Sequence, residues 1–135
     1  MRAGIVQANV AHYDRLAAEV GTYEAVRTIL DAHFAVSHEL FDRGPLDVVV
    51  WPETVYPTTF AAPKSEDGAA LDREILDYTT RANVPLVFGA YDVERGTEYN
   101  AAFFLEPPVA AAQGGARLVA TYRKAWPFPL TEHVP

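Results

Sequence analysis

Apolar and polar positions alternate between two periods along the chain, and the alternation predicts its elements. Ala3 to Val10 is short, apolar and partly β-branched, and reads as a first strand ending near Gln7 and Asn9. After a variable stretch, Val26, Ile29, Leu30, Phe34, Leu40 and Phe41 recur at helical spacing. Thr22 suits the N-cap, Glu24 the first turn, and Gly44-Pro45 a stop, so the helix is expected from about Thr22 to Arg43. Asp47 to Trp51 is a continuous apolar run of the kind buried on both faces, ended by Pro52. Thr54 to Gly68 carries turn chemistry and reads as a loop. Leu71, Ile75, Leu76, Thr79 and Ala82 make a second amphipathic helix, stopped at Asn83-Val84-Pro85.

Three further strands follow: Leu86 to Tyr91, Glu98 to Leu105 after a turn at Arg95-Gly96, and Ala116 to Arg123 after a loop from Pro107 to Gly115. Strand–helix alternation at the start predicts right-handed crossovers and parallel strands. The short turns later predict antiparallel pairing. The pattern shows no repeat, no heptad and no sign of a second domain.

Composition narrows the function. Eighteen acidic residues against eleven basic give a net charge of −7 over 135 residues, which argues against a phosphate-binding surface and hence against nucleic acid. The chain has no cysteine, so disulfides, thiolate metal sites and a thiol nucleophile of its own are all excluded. No apolar run approaches the ~18 residues of a membrane span, and the N-terminus shows no signal-peptide pattern.

Two charged residues stand out. Glu53 follows the proline that ends a buried strand, and Lys124 ends another. Ligand sites in open α/β sheets gather beyond the carboxyl ends of strands. A half-buried carboxylate near a lysine can accept a proton while the ammonium stabilises developing negative charge. Position alone leaves a plainer role open, with Glu53 capping a turn and Lys124 a solvated strand-end charge. His33 and His38, five apart, do not share a helical face and read as helix-surface residues; His12 and Asp14 are too isolated to hold a metal. Gly114-Gly115 reads as a turn between strands. For Tyr13, Tyr23, Tyr56 and Trp126, core or loop packing is expected over contact with lipid.

Trp51-Pro52-Glu53-Thr54 after a valine-rich strand, Tyr99-Asn100-Ala101, Tyr122-Arg123-Lys124, and Pro129-Leu130-Thr131-Glu132 with Val134-Pro135 resemble, in this order, motifs of the carbon–nitrogen hydrolase (nitrilase) superfamily. Within it they most resemble the catalytic domain of the apolipoprotein N-acyltransferases. Ile5 to Asn9 is similar to the family's first strand, so the resemblance spans essentially all of residues 1–135. It implies an α/β fold, the N-terminal portion of a nitrilase-type α-β-β-α sandwich, as one domain incomplete at its C-terminus.

It further implies Glu53 as general base, Lys124 as the group stabilising a tetrahedral oxyanion, and Glu132 as a second carboxylate that positions the site, with Tyr99 and Asn100 as substrate-binding residues. No cofactor and no metal are implied. The implied partners are a phospholipid acyl donor and a lipoprotein acceptor, at the periplasmic side of an inner membrane if the domain belongs to a full-length acyltransferase. A cytoplasmic amidase or nitrilase that uses water is the alternative, and a non-catalytic remnant or binding module the other. The sequence departs from the family where its cysteine would be: that residue lies some tens of positions after the lysine, beyond Pro135. The segment before Glu132 has an extra proline and no glycine, and these 135 residues hold no counterpart of the multi-helix membrane region expected ahead of an acyltransferase domain.

Overall fold

The computed structural model describes residues 1–8, 17–18, 21–53, 55–109 and 114–124. Within them the chain runs β1 (Ala3–Ile5), α1 (Thr22–Phe41), β2 (Val48–Val50), α2 (Glu66–Ala82), β3 (Leu86–Glu94), β4 (Thr97–Glu106) and β5 (Arg117–Arg123). The strands form one sheet in the order β1-β2-β3-β4-β5. β1, β2 and β3 are parallel, and β3, β4 and β5 antiparallel, as the alternation of elements predicts. Two crossovers of the same hand between successive neighbouring strands put both helices on one face.

The element ends correct several expectations. The cap of α1 is Gly21 at φ 90°, with no side-chain cap bond, and Thr22 is already helical. Glycine's left-handed backbone turns the chain into the helix, which leaves the threonine inside the first turn. α2 starts at Glu66, ahead of its apolar stripe, because Ser65 Oγ accepts the Gly68 N–H at 3.0 Å and Glu66 and Asp67 oppose the helix dipole. It ends on Asn83 in the left-handed region. β3 runs on to Glu94 because Arg95 (φ 52°) and Gly96 (φ 80°) make a two-residue turn with both φ values positive, whose twist matches the flanking strands.

The core lies between helices and sheet. Val6, Val49, Leu86, Phe88, Ala90, Ala101, Phe103 and Leu105 pack against Val26, Ile29, Leu30, Leu71 and Ile75, with Tyr56 and Phe60 closing one end. Phe88 and Phe103 stack at 5.7 Å between ring centroids, and Phe60 meets both edge-on.

The opposite face differs from the expectation of a strand buried on both sides. Val49 is buried, but its neighbours Val48 and Val50 are half-buried, as are Val87, Ala102 and Phe104. Ile5 (75% exposed) and Tyr122 (70%) lie on this face too. No described element covers it, so alternation in β2 gives one buried and one open side. None of the helices among the described residues is long and apolar enough to cross a membrane.

Candidate active site

The Glu53 segment leaves β2 under restraint from both sides. Before it, Trp51 N–H donates to Val87 O at 2.8 Å, and the indole Nε1–H donates to Ser37 Oγ at 2.8 Å. The indole packs between the rings of His33 and Phe34 on α1 and Phe88 on β3. Pro52 then ends the ladder. After it, Tyr56 N–H donates to Gly89 O at 3.1 Å, and Phe60 N–H to Tyr91 O, so the segment keeps running alongside β3. The Tyr56 hydroxyl is buried and donates to Asp72 Oδ1 at 2.7 Å, while Asp72 Oδ2 accepts the Ala61 N–H at 3.0 Å. Burial pushes the Asp72 carboxyl upward, against the pull of these two donors, and burial likewise raises the Tyr56 phenol.

Lys124 arrives from the far edge of the sheet. Its N–H donates to Asn100 O at 2.8 Å, continuing the β4–β5 ladder by one residue. Its Nζ lies 2.9 Å from Glu53 Oε1, and Asn100 Nδ2–H donates to the same oxygen at 3.2 Å. The carboxylate thus receives two donors, one of them charged, from strands β4 and β5. Lys124 is the more enclosed partner, at 26% exposure against 55% for Glu53. The three polar groups rim a hollow of about 370 Å³ whose floor is apolar and includes Val50, Val87, Gly89, Ala102 and Tyr122. Such a hollow suits an apolar group whose polar end meets a carboxylate and an ammonium.

The residues singled out in the sequence separate here. Glu53, Lys124 and Asn100 come together although they lie 47 and 71 positions apart in chain order. Tyr99 does not join them. Adjacent strand residues point to opposite faces, and its ring lies on the other face under the Arg123 guanidinium, 4.3 Å away. Glu132, Tyr13, Trp126, His12 and Asp14 lie outside the described residues. Tyr56 is core, as expected, and Tyr23 is exposed.

His33 is a correction, being buried rather than on the helix surface. It shares the stripe of Ile29, Leu30 and Ser37; its ring covers Trp51 and its Nδ1 pairs with Ile29 O at 2.7 Å. That burial lowers its pKa from 6.5. The anchors Ser37, Tyr56 and Asp72 were not legible as site residues, since each supports Glu53 through partners distant in sequence. Among the described residues no cluster of histidines and carboxylates could hold a metal ion.

No family model and no curated protein matches the chain. Among solved structures it is similar to N-terminal amidase, with 15% identity and a TM-score of 0.53 over 96% of this chain and 29% of that one. A cysteine-to-serine variant of N-terminal amidase gives 16% identity and a TM-score of 0.52, covering 96% of this chain and 28% of that one. The chain therefore spans less than a third of the length of these structures. Likeness at such identity speaks for architecture, and with the parallel-then-antiparallel sheet and its two helices it leads to one conclusion: the chain has the α/β fold of the carbon–nitrogen hydrolases.

Proposed function

We propose that Glu53 and Lys124 are the base and the oxyanion-stabilising cation of a carbon–nitrogen hydrolase-type site that cleaves an amide. The observation that carries this reading is the convergence of Lys124 Nζ and Asn100 Nδ2 on one oxygen of Glu53, at the rim of an apolar hollow. The chemistry needs a thiol, which these 135 residues lack; in this reading it comes from outside them. Its proton passes to Glu53 as sulfur attacks the acyl carbon. The tetrahedral oxyanion then forms beside the Lys124 ammonium. Collapse breaks the carbon–nitrogen bond, the departing amine takes the proton from Glu53, and a thioester remains. Water attacking the thioester makes the site an amidase, which the likeness to N-terminal amidase favours.

A second reading has support in the apolar floor and in the Trp-Pro-Glu-Thr and Tyr-x-Lys segments. The thiol takes the acyl group from a phospholipid ester, whose C–O bond breaks as the lysophospholipid alcohol leaves with the proton from Glu53. An amine acceptor then attacks the thioester and releases the thiol, while the hollow holds the acyl chain, as in an apolipoprotein N-acyltransferase. The missing thiol favours a third, a binding module with no chemistry.

A reporter amide with an apolar acyl group tests these. The 135-residue chain is expected to show no turnover above its Glu53→Ala variant. A longer chain that adds a cysteine-bearing segment is expected to hydrolyse the reporter, and to lose this in Glu53→Gln and Lys124→Met. Turnover by the longer chain that survives Glu53→Gln refutes the assigned base; acyl transfer from phospholipid without reporter hydrolysis selects the second reading.

A further inference from the structure

We propose that Arg123 is a positioning residue, a register lock that keeps Lys124 on the Glu53 side of the sheet; the inference rests on the Glu53–Lys124 site proposed above. Near Lys124, β5 has little of its own to fix its register: the Arg117–Glu106 ion pair and the Ala116 N–H bond to Thr80 Oγ1 lie at its other end. Leu118, Val119 and Tyr122 are all exposed, so few apolar contacts hold the strand. Its pairing with β4 already shifts once, between Phe104 and Leu105. Register is weakly specified where no face is well buried, and a slip of one residue sends every side chain to the opposite face. Such a slip would carry Lys124 away from Glu53 and put a neighbour in its place.

Arg123 supplies the missing specification. It pairs with Ala101 on β4, and its guanidinium reaches across that strand to β3. There Nε meets Asp92 Oδ2 at 2.8 Å and Nη1 meets Glu94 Oε2 at 2.6 Å. Under the guanidinium lies the ring of Tyr99, the residue paired with Asp92. Two carboxylates two positions apart on β3 and a ring on β4 define one place for a planar fork. Single surface ion pairs count for little, but a forked network is the recognised exception. The next residue is then set by alternation: Lys124 points to the opposite face, where Asn100 and Glu53 wait.

Competitive acetylation with trace acetic anhydride, read by mass spectrometry, tests the lock. Lys64 and Lys124 are the two lysines of the 135 residues, so Lys64, which pairs with Glu98 but stays 59% exposed, is the internal reference. In the unchanged chain Lys124 is expected to be the less reactive. In Arg123→Gln, and in Asp92→Asn combined with Glu94→Gln, the Lys124-to-Lys64 ratio should rise several-fold well below the melting transition, and Arg123→Lys should restore part of the protection. Amide exchange at Ala102, whose N–H faces β5 in the ladder, should stay slow in these variants.

An unchanged ratio in folded Arg123→Gln overturns the lock and leaves the site reading standing. Loss of amide protection along all of β5 also overturns it, because Arg123 is then only an anchor for the strand. If Arg123→Gln does not fold, the single variants Asp92→Asn and Glu94→Gln decide by the same ratio. A Glu53→Gln variant that leaves the Lys124-to-Lys64 ratio unchanged refutes the Glu53–Lys124 contact, and both proposals with it.

Discussion

Replacing Tyr56 by phenylalanine tests how the segment after Glu53 is held. The substitution keeps the ring among Phe60 and Phe88 and removes a single hydroxyl, the 2.7 Å donor to Asp72 Oδ1. Asp72 is 7% exposed, so water does not freely replace the lost donor. A hydrogen bond to a charged group contributes about 1.5–3 kcal/mol, and the orphaned acceptor keeps its desolvation cost, so a loss of about 2 kcal/mol at pH 7 is expected. For a chain of this size that is a fall of about 8 °C in the melting midpoint.

The loss should depend on pH. The folded-state pKa of Asp72 is raised above the 3.8 of the unfolded chain. Stability from its protonation is therefore fully present below 3.8 and is lost as pH rises through the raised folded value. Tyr56 is one of the donors that holds this pKa down, so its removal raises the folded value further and widens the window of loss. The Tyr56→Phe cost should thus be largest at neutral pH and shrink toward pH 3.8, and the pH dependence should disappear in an Asp72→Asn background. Urea titrations of the unchanged chain, the two single variants and the double variant across pH supply the measurement. A neutral-pH cost below about 0.5 kcal/mol, or one independent of pH, would refute the claim that a charged, buried Asp72 holds this segment.

His33 makes the opposite demand on pH. Its folded pKa is lowered from 6.5 by burial, so its contribution is present above 6.5 and is lost as pH falls from there through the lowered value. Urea midpoints should decline with acidification over that window by at most about 1.4 kcal/mol per pH unit, and His33→Gln should flatten the decline; an unchanged slope would contradict it. The open apolar face should make the isolated 135-residue chain self-associate. Ile5→Glu combined with Tyr122→Glu is expected to weaken association roughly tenfold in sedimentation equilibrium, and a chain already monomeric at high concentration would remove the argument.

By itself the sequence determined the elements, their order and the sense of strand pairing, because these follow from local periodicity and from short connections. The helical stripe from Val26 to Phe41, the Arg95-Gly96 turn and the stop at Pro52 depend on neighbours a few positions away. The motif order also singled out Glu53, Asn100 and Lys124 before any contact between them was visible. What it left unspecified depends on partners far along the chain. The burial of His33 follows from where Trp51 packs, and the Tyr56–Asp72 bond from how α2 lies over the segment after Glu53. Tyr99 and Asn100 are adjacent in sequence and on opposite faces in space, one beneath Arg123 and the other against Glu53. Only the sheet could decide that, since the pleat assigns faces once the register of β3, β4 and β5 is fixed.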